Sequence, residues 1–519
     1  MSWHPFRAGR TLLSVIALVL LVFMAQPSVA IPAFSRQYGT SCSTCHINFP
    51  KLNDFGKAFK DAGFKFPKDD ESFLKVPPVM LGAPAQKELW PHTVFPGTIP
   101  GLPPIGLRFS QFFQYTPSNS NNYNKANLST DPYVPRTDFE PGLFSIFMAG
   151  NFGSDIAFWV DDDLSVSGAN ANGGLGDGYL KFVNIGRLVK LPTDSLSLRV
   201  GQFELDLPFS QARSINITPW DIYTEANIGS GQQNVNNVFA IQDAGQGIEL
   251  SGGHQYGGYH YSLAIVNQNT SGTSSAAPNV SSPAGFFSDA NYKDIYARFS
   301  YRFNLEKDPA SRHDIQAAGA TGPRDHTYLS LGTFYFKGRS VQRFAGVDAS
   351  DNATVITARE PFYRVGADFS FNYRTLNVFG LFMYGHDNDL LCQDSTGTAV
   401  PCTSGIGTSF TNGSAAKFNG GFVEADYLAL PWVMTILRYD RVQSSADFLN
   451  QSGSSNYFSP VGGTRNRVTP GVQFLIHANI KASIEYSIRP QQALTYDSNG
   501  KAVNPFRTNT TAGALEFVY

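Results

Sequence analysis

The run Cys42-Ser43-Thr44-Cys45-His46 has the residue types and spacing of a covalent haem attachment site. Two thiols separated by two residues lie on one backbone turn, where both can form thioethers to one porphyrin. The histidine that follows falls under the metal and can act as the proximal axial ligand. Other chemistries also use paired cysteines. A redox-active or structural Cys42–Cys45 disulfide favours a thioredoxin-like βαβ context, and no such pattern follows. A zinc site needs more Cys or His ligands nearby, and they are absent from the neighbouring sequence. The expected cofactor is one covalent haem c.

A six-coordinate iron needs a second ligand. Before the first strand the mature chain offers Met80 and His92. Methionine would raise the potential relative to bis-histidine ligation. Met80 is the preferred distal candidate and His92 the alternative; a five-coordinate iron or a ligand from the β-structure stays open. Both residues also have ordinary roles, Met80 as an apolar contact beside Val79 and Leu81, His92 as a solvated linker residue.

Other donor groups lie further along. Asp161, Asp162 and Asp163 open one expected outer loop, and His386, Asp387 and Asp389 open another. Oxygen-rich clusters of this kind suit hard cations such as ferrous iron; they are also what solvated loops or a polar lumen contain. Cys392 and Cys402 lie ten residues apart in a polar Gly/Ser/Thr stretch. In an oxidising compartment they would form a loop disulfide, with two free thiols as the alternative.

The elements around these residues follow from composition and periodicity. Residues 1–30 read as a secretory signal: Arg7 and Arg10, an apolar run Thr11–Ala25, and a small-x-small site Ser28-Val29-Ala30. The apolar run is short for a membrane span. Residues 31–76 form a small helical segment carrying the haem motif. Phe49, Leu52, Phe55 and Phe59 recur at helical spacing over 49–62, and Gly63 is placed to end that helix. The rings would pack on the haem or form an ordinary helix core. Residues 77–104 are a Pro/Gly-rich linker.

From 105 to 519 the pattern changes to period two. Sixteen segments of alternating apolarity begin near 105, 143, 154, 178, 195, 246, 257, 293, 327, 363, 376, 420, 432, 469, 479 and 511. Connections alternate long and short, including long gaps at 161–177, 338–362 and 386–419. That parity is a property of bacterial transmembrane barrels, whose outer loops are long and periplasmic turns short. The aromatic Tyr519 on an alternating strand matches the insertion signal of porins. Charged residues are 15% and net charge is −2, which favours neither nucleic acid nor any acidic partner. Ser-His-Asp, phosphate-loop and zinc-protease signatures are missing. The expected fold class is all-β, a transmembrane antiparallel barrel of about sixteen strands with a small α-helical monohaem segment before it.

The run Pro32-Ala33-Phe34-Ser35-Arg36-Gln37-Tyr38-Gly39, the haem motif, and Phe49-Pro50-Lys51-Leu52-Asn53-Asp54-Phe55-Gly56 together resemble the fused outer-membrane cytochrome–porins. The best-known members of that family oxidise extracellular ferrous iron. The match is local to the N-terminal segment, and the barrel matches in architecture only. The resemblance implies a haem held within or beneath the barrel at Cys42, Cys45 and His46. It further implies that electrons pass from an external donor to a periplasmic c-type cytochrome or other carrier, with outer-membrane lipid around the barrel. The same layout would serve electron export, or a solute porin whose N-terminal segment gates or senses.

Overall fold

Strict alternation of apolar and polar side chains cannot bury a single-sided core in one isolated strand, and here sixteen antiparallel strands solve the problem by closing on one another. The computed structural model describes residues 33–66, 70–82, 85–92, 97–116, 136–153, 155–165, 174–209, 214–217, 244–267, 292–305, 327–347, 353–387, 391–393, 399–401, 416–444, 464–488, 495–496, 502–503 and 509–519. The signal-peptide residues, Asp389 and Cys402 lie outside these. So do the side chains of Asp163, Asp387 and Cys392, although their backbones are described.

The first barrel strands are β1 Ile105–Thr116, β2 Arg136–Phe152, β3 Ile156–Ser165, β4 Gly174–Phe182, β5 Ser197–Glu204 and β6 Ala244–Gly253. Next come β7 Gly258–Asn267, β8 Lys293–Asn304, β9 Tyr328–Val347, β10 Ala353–Tyr373 and β11 Leu376–Asp387. The last are β12 Ala416–Leu430, β13 Val433–Ser444, β14 Thr464–His477, β15 Ile480–Ser487 and β16 Thr510–Val518. Each strand pairs with the next, and β16 pairs with β1 to shut the ring. At that seam the backbones of Leu107 and Tyr519 exchange two hydrogen bonds of 2.7 Å.

The sixteen expected segments map one to one onto these strands. The largest difference concerns 338–362, expected as a long loop. Instead β9 and β10 stay paired as a ribbon, from Tyr328↔Asn372 up to Val347↔Ala353. At 20 and 21 residues they are about twice the length a membrane strand needs.

Inside and outside follow from the two-residue period. On β13 the inward side chains Met434, Ile436, Arg438, Asp440 and Val442 are buried, while Leu437 and Tyr439 face out and are exposed. The lumen wall carries ion pairs: Arg199–Glu249 at 2.5 Å, Arg438–Glu424 at 3.0 Å, Arg467–Asp440 at 3.0 Å and Lys481–Glu516 at 2.7 Å. The outer surface is apolar. Tyr259, Tyr301, Phe303, Tyr373, Tyr427, Trp432 and Phe517 are exposed close to the short turns, the level at which barrels carry an aromatic girdle at the lipid–water boundary. An apolar belt over a polar, ion-paired interior is the construction of an outer-membrane barrel. Among the described residues no helix is long and apolar enough to cross a membrane.

The N-terminal segment holds two helices of note, α1 Ala33–Tyr38 and α2 Asp54–Asp61. The helix expected over 49–62 is therefore shorter. Lys51–Leu52 pairs with His46–Asn48 as a small hairpin, and Asn53 caps the helix by accepting from Gly56 N at 2.9 Å. Gly63, at φ +78°, adopts the left-handed turn that ends it.

Candidate functional site

Residues 33–75 fill the short-turn end of the barrel. Their fastenings run around the ring, each to a wall residue near a short turn. Arg36 donates to Ile105 O at 2.6 Å on β1. Asn48 donates to Gln473 at 2.5 Å on β14. Lys481 on β15 donates to Phe49 O at 3.0 Å. Lys51 reaches Asn377 at 2.8 Å and Asp426 at 2.5 Å, on β11 and β12. Arg302 on β8 holds Asp54 with two bonds of 2.6 and 2.7 Å. Asp61 accepts from Gln255 N at 3.2 Å in the β6–β7 turn.

Aromatic packing completes the seal. Phe34, Tyr38, Phe55, Phe59, Phe64 and Phe66 bury one another and lean on Ala149, Ala157 and Val183 of the wall. Tyr38 stacks on Phe66 with centroids 4.2 Å apart, and Phe64 meets Trp159 of β3 at 5.6 Å. The rings expected along the helix thus form a core shared by the segment and the barrel.

The Cys42–His46 run sits on this plug. Cys42–Thr44 is one turn of 3₁₀ helix, capped by Ser41, whose Oγ accepts from Ser43 N at 3.2 Å. Cys45 N donates back to Cys42 O at 3.1 Å. Both cysteines are free thiols and partly buried. Burial pushes the Cys42 thiol up, against a hydrogen bond from Ser35. Burial and then the neighbouring Cys42 push the Cys45 thiol up to about 12. Both are therefore protonated at neutral pH, which protects them from adventitious oxidation.

His46 is enclosed. Burial lowers its pKa to about 4, with backbone hydrogen bonding at Pro50 and Lys51 acting in the other direction. The imidazole is neutral at physiological pH, the form a metal ion binds. Its Nδ1 is buried without a hydrogen-bond partner; buried polar atoms are rarely left so, and a ligand would account for it. Two free thiols on one turn and a neutral buried imidazole beside them fit a covalent haem.

The other expected site residues are not gathered here. Met80 is half-exposed on a two-residue strand paired with Thr98–Ile99, and His92 is exposed. No hydrogen bond joins either to His46 among the described residues. Asp161, Asp162 and Asp163 do not open a loop. They belong to β3, which runs five residues past its expected end because Leu164 and Ser165 still pair with β2. Asp161 shares the inward face with Trp159, and its carboxylate accepts from Asp177 N on β4. His386 likewise lies within β11, stacked on Tyr363 with centroids 5.3 Å apart, on the outward face with the exposed Phe382. Asp161 and His386 thus face opposite sides of the wall and form no common iron site. Among the described residues no group of three or more His, Cys, Asp or Glu side chains is placed to hold a metal ion.

A second set of residues escaped the sequence reading. Between the plug and an inward-folded stretch after β5 lies a cavity of about 270 Å³, lined by Lys51, Lys57, Asp206, Phe209, Arg298 and Asp368 among others. Phe209 stacks on Phe379 at 4.8 Å, and Ile217 N donates to Glu485 at 2.7 Å. Residues 206–209 and 214–217 therefore reach across to β11 and β15. Arg298 grips Asp368 with bonds of 2.6 and 3.0 Å, and His260 meets Asp206 at 2.9 Å. Burial opposes the charge on Asp206, but His260, Arg298 and Arg199 outweigh it and hold the carboxyl well below its usual range. The available signal was the inward register of His260, Arg298 and Asp368 on alternating strands. Asp206 carries no such signal, because it follows a strand end.

No family model and no curated protein matches the sequence. Solved structures do. The chain is similar to a Salmonella typhi OmpF complex with daunomycin, at 10% identity, TM-score 0.45, over 80% of this chain and 97% of that one. It is similar to an anion-selective porin from Comamonas acidovorans at 12% identity, TM-score 0.41, over 80% and 98%. A Vibrio cholerae outer-membrane protein, OmpT, gives 8% identity and TM-score 0.41 over 85% and 99%. The architecture described above rests on this chain's own strand pairing and its closed ring of sixteen strands.

Proposed function

We propose that this protein is an outer-membrane electron conduit carrying one covalent haem c, which links an external donor, ferrous iron in the leading case, to a periplasmic c-type cytochrome or other redox carrier. The observation that carries this reading is the Cys42–His46 run on a segment fastened around the inside of the barrel mouth. Cys42 and Cys45 would hold the group and His46 would coordinate it. When bound, a haem supplies one-electron exchange at its iron. The chain's own residues do the rest. The imidazole stays neutral, the aromatic core keeps water from that side of the plug, and hydrogen bonds with two ion pairs hold the segment within the wall.

The barrel gives the arrangement its purpose. An apolar band of about 25 Å separates the two aqueous faces, and ferric product formed inside a cell would precipitate there. A redox group seated in the mouth is open to carriers on the short-turn side, while a donor arrives through the lumen. The test is stopped-flow absorption of detergent-purified protein mixed with Fe(II). Rapid appearance of the reduced α-band, lost in the Cys42→Ala, Cys45→Ala double variant, supports the conduit. A haem that stays oxidised turns the reading towards another donor or towards outward flow, whose direction the partner potentials set.

A second reading has its own support in the charged cavity above the plug. It is a solute porin whose N-terminal segment gates the pore. It requires substantial ion conductance with the plug in place.

A further inference from the structure

The cysteine turn has its own hydrogen bonds, and a residue outside the motif ties its carbonyls to the helix that follows. Asn53 is 4% exposed. Its Nδ2 donates to Thr44 O at 3.0 Å and to Ser43 O at 3.4 Å. Its backbone N donates to Cys45 O at 2.9 Å. Its Oδ1 accepts from Gly56 N at 2.9 Å and caps α2. One side chain and one amide thus tie three consecutive carbonyls of the turn to the start of the helix. Gly56 completes the contact. A Cβ at that position would stand 2.2 Å from Cys45 O and 3.0 Å from Leu52 Cδ2, so the helix presses directly on the second cysteine's peptide.

We infer that Asn53 is a positioning residue for haem attachment, clamping the Ser43–Cys45 carbonyls against α2 so that both thiols and His46 are presented together. The inference rests on the haem reading above and extends it to a residue that would touch neither sulfur nor iron. Helix capping alone would need only Oδ1. The clamp needs Nδ2 as well, and that difference can be tested. Asp caps helices as well as Asn does, so Asn53→Asp keeps the acceptor for Gly56 N. It replaces the donor by a carboxylate oxygen facing two carbonyl oxygens, which costs the bonds and adds repulsion.

The experiment expresses the full chain with a c-type cytochrome maturation system and isolates the heat-modifiable barrel. Covalent haem per barrel is then measured by in-gel peroxidase stain and pyridine haemochrome. Wild-type protein without covalent haem would sink the haem reading itself. Given loaded wild type, the clamp predicts at least about a threefold loss of haem in Asn53→Asp with heat modifiability unchanged. Loading equal to wild type overturns the clamp. A second measurement covers a variant that barely assembles. In haem-free, refolded protein, alkylation of Cys45 is followed by mass spectrometry for wild type, Asn53→Asp and Asn53→Gln. Faster Cys45 modification in both variants, relative to Cys42, supports the clamp. Unchanged rates at both cysteines overturn it.

Discussion

His46 is half-buried and neutral, and its Nδ1 is covered without a hydrogen-bond partner. At this scale the prediction is direct. On the proposed haem reading, replacing Cys42 and Cys45 together by alanine is expected to abolish covalent haem in a denaturing gel, while strand content by circular dichroism stays at the wild-type level. His46→Ala is expected to keep the thioethers but shift the Soret band and raise the reactivity of the iron towards carbon monoxide. In the haem-free protein, Cys45 should alkylate more slowly than Cys42, because burial protonates it more strongly. A reversed order would contradict the described burial. The motif was legible because its spacing is chemistry in itself. The support from Asn53 was not, since an Asn before an acidic helix start reads only as a cap until the carbonyls of Ser43 and Thr44 are seen turning towards it.

Elements carry the next level. The plug's anchors are hydrogen bonds to strand ends and two ion pairs, Lys51–Asp426 and Arg302–Asp54, the second held by two bonds. Arg302 also lies 3.5 Å over the Tyr328 ring. Removing one partner of a buried pair leaves an uncompensated charge and costs about 3 kcal/mol or more. Asp54→Ala should therefore loosen the plug, which limited proteolysis of detergent-solubilised protein would report as earlier cleavage within residues 50–75 and an unchanged barrel fragment. Equal cleavage times in wild type and variant would assign the anchoring to other contacts. All sixteen strands were legible because a wall with lipid on one side and ion pairs on the other imposes period two on every strand. Their ends were not. Asp161–Asp163 looked like loop residues because carboxylates are rare in strands, yet Asp161 has a backbone amide of β4 to accept. The long ribbon of β9 and β10 was invisible because beyond the lipid no burial pattern is imposed.

At the scale of the whole molecule, plug, inward stretch and wall occupy the lumen together. Ile47 of the plug and Ile215 of the inward stretch share one cluster with Leu428, Met434 and Ile436. In planar bilayers the full chain should conduct only weakly, and deletion of residues 31–95 should raise single-channel conductance several-fold. High conductance with the segment present would favour the solute-porin reading. The parity of long and short connections made the architecture legible; the docking of residues 33–75 was beyond reach, since it depends on pairs such as Asn48 with Gln473 that are hundreds of positions apart.

The seam carries a consequence for biogenesis. β1 and β16 can join only after the final strand has been made, and Arg36 is bonded to Ile105 O at that joint, with its guanidinium 5.6 Å from the Tyr519 ring. The segment fastened around the ring is thus also tied to the strands that complete it. Closure of the barrel and seating of the plug therefore share one joint, made of Arg36, Ile105 and Tyr519.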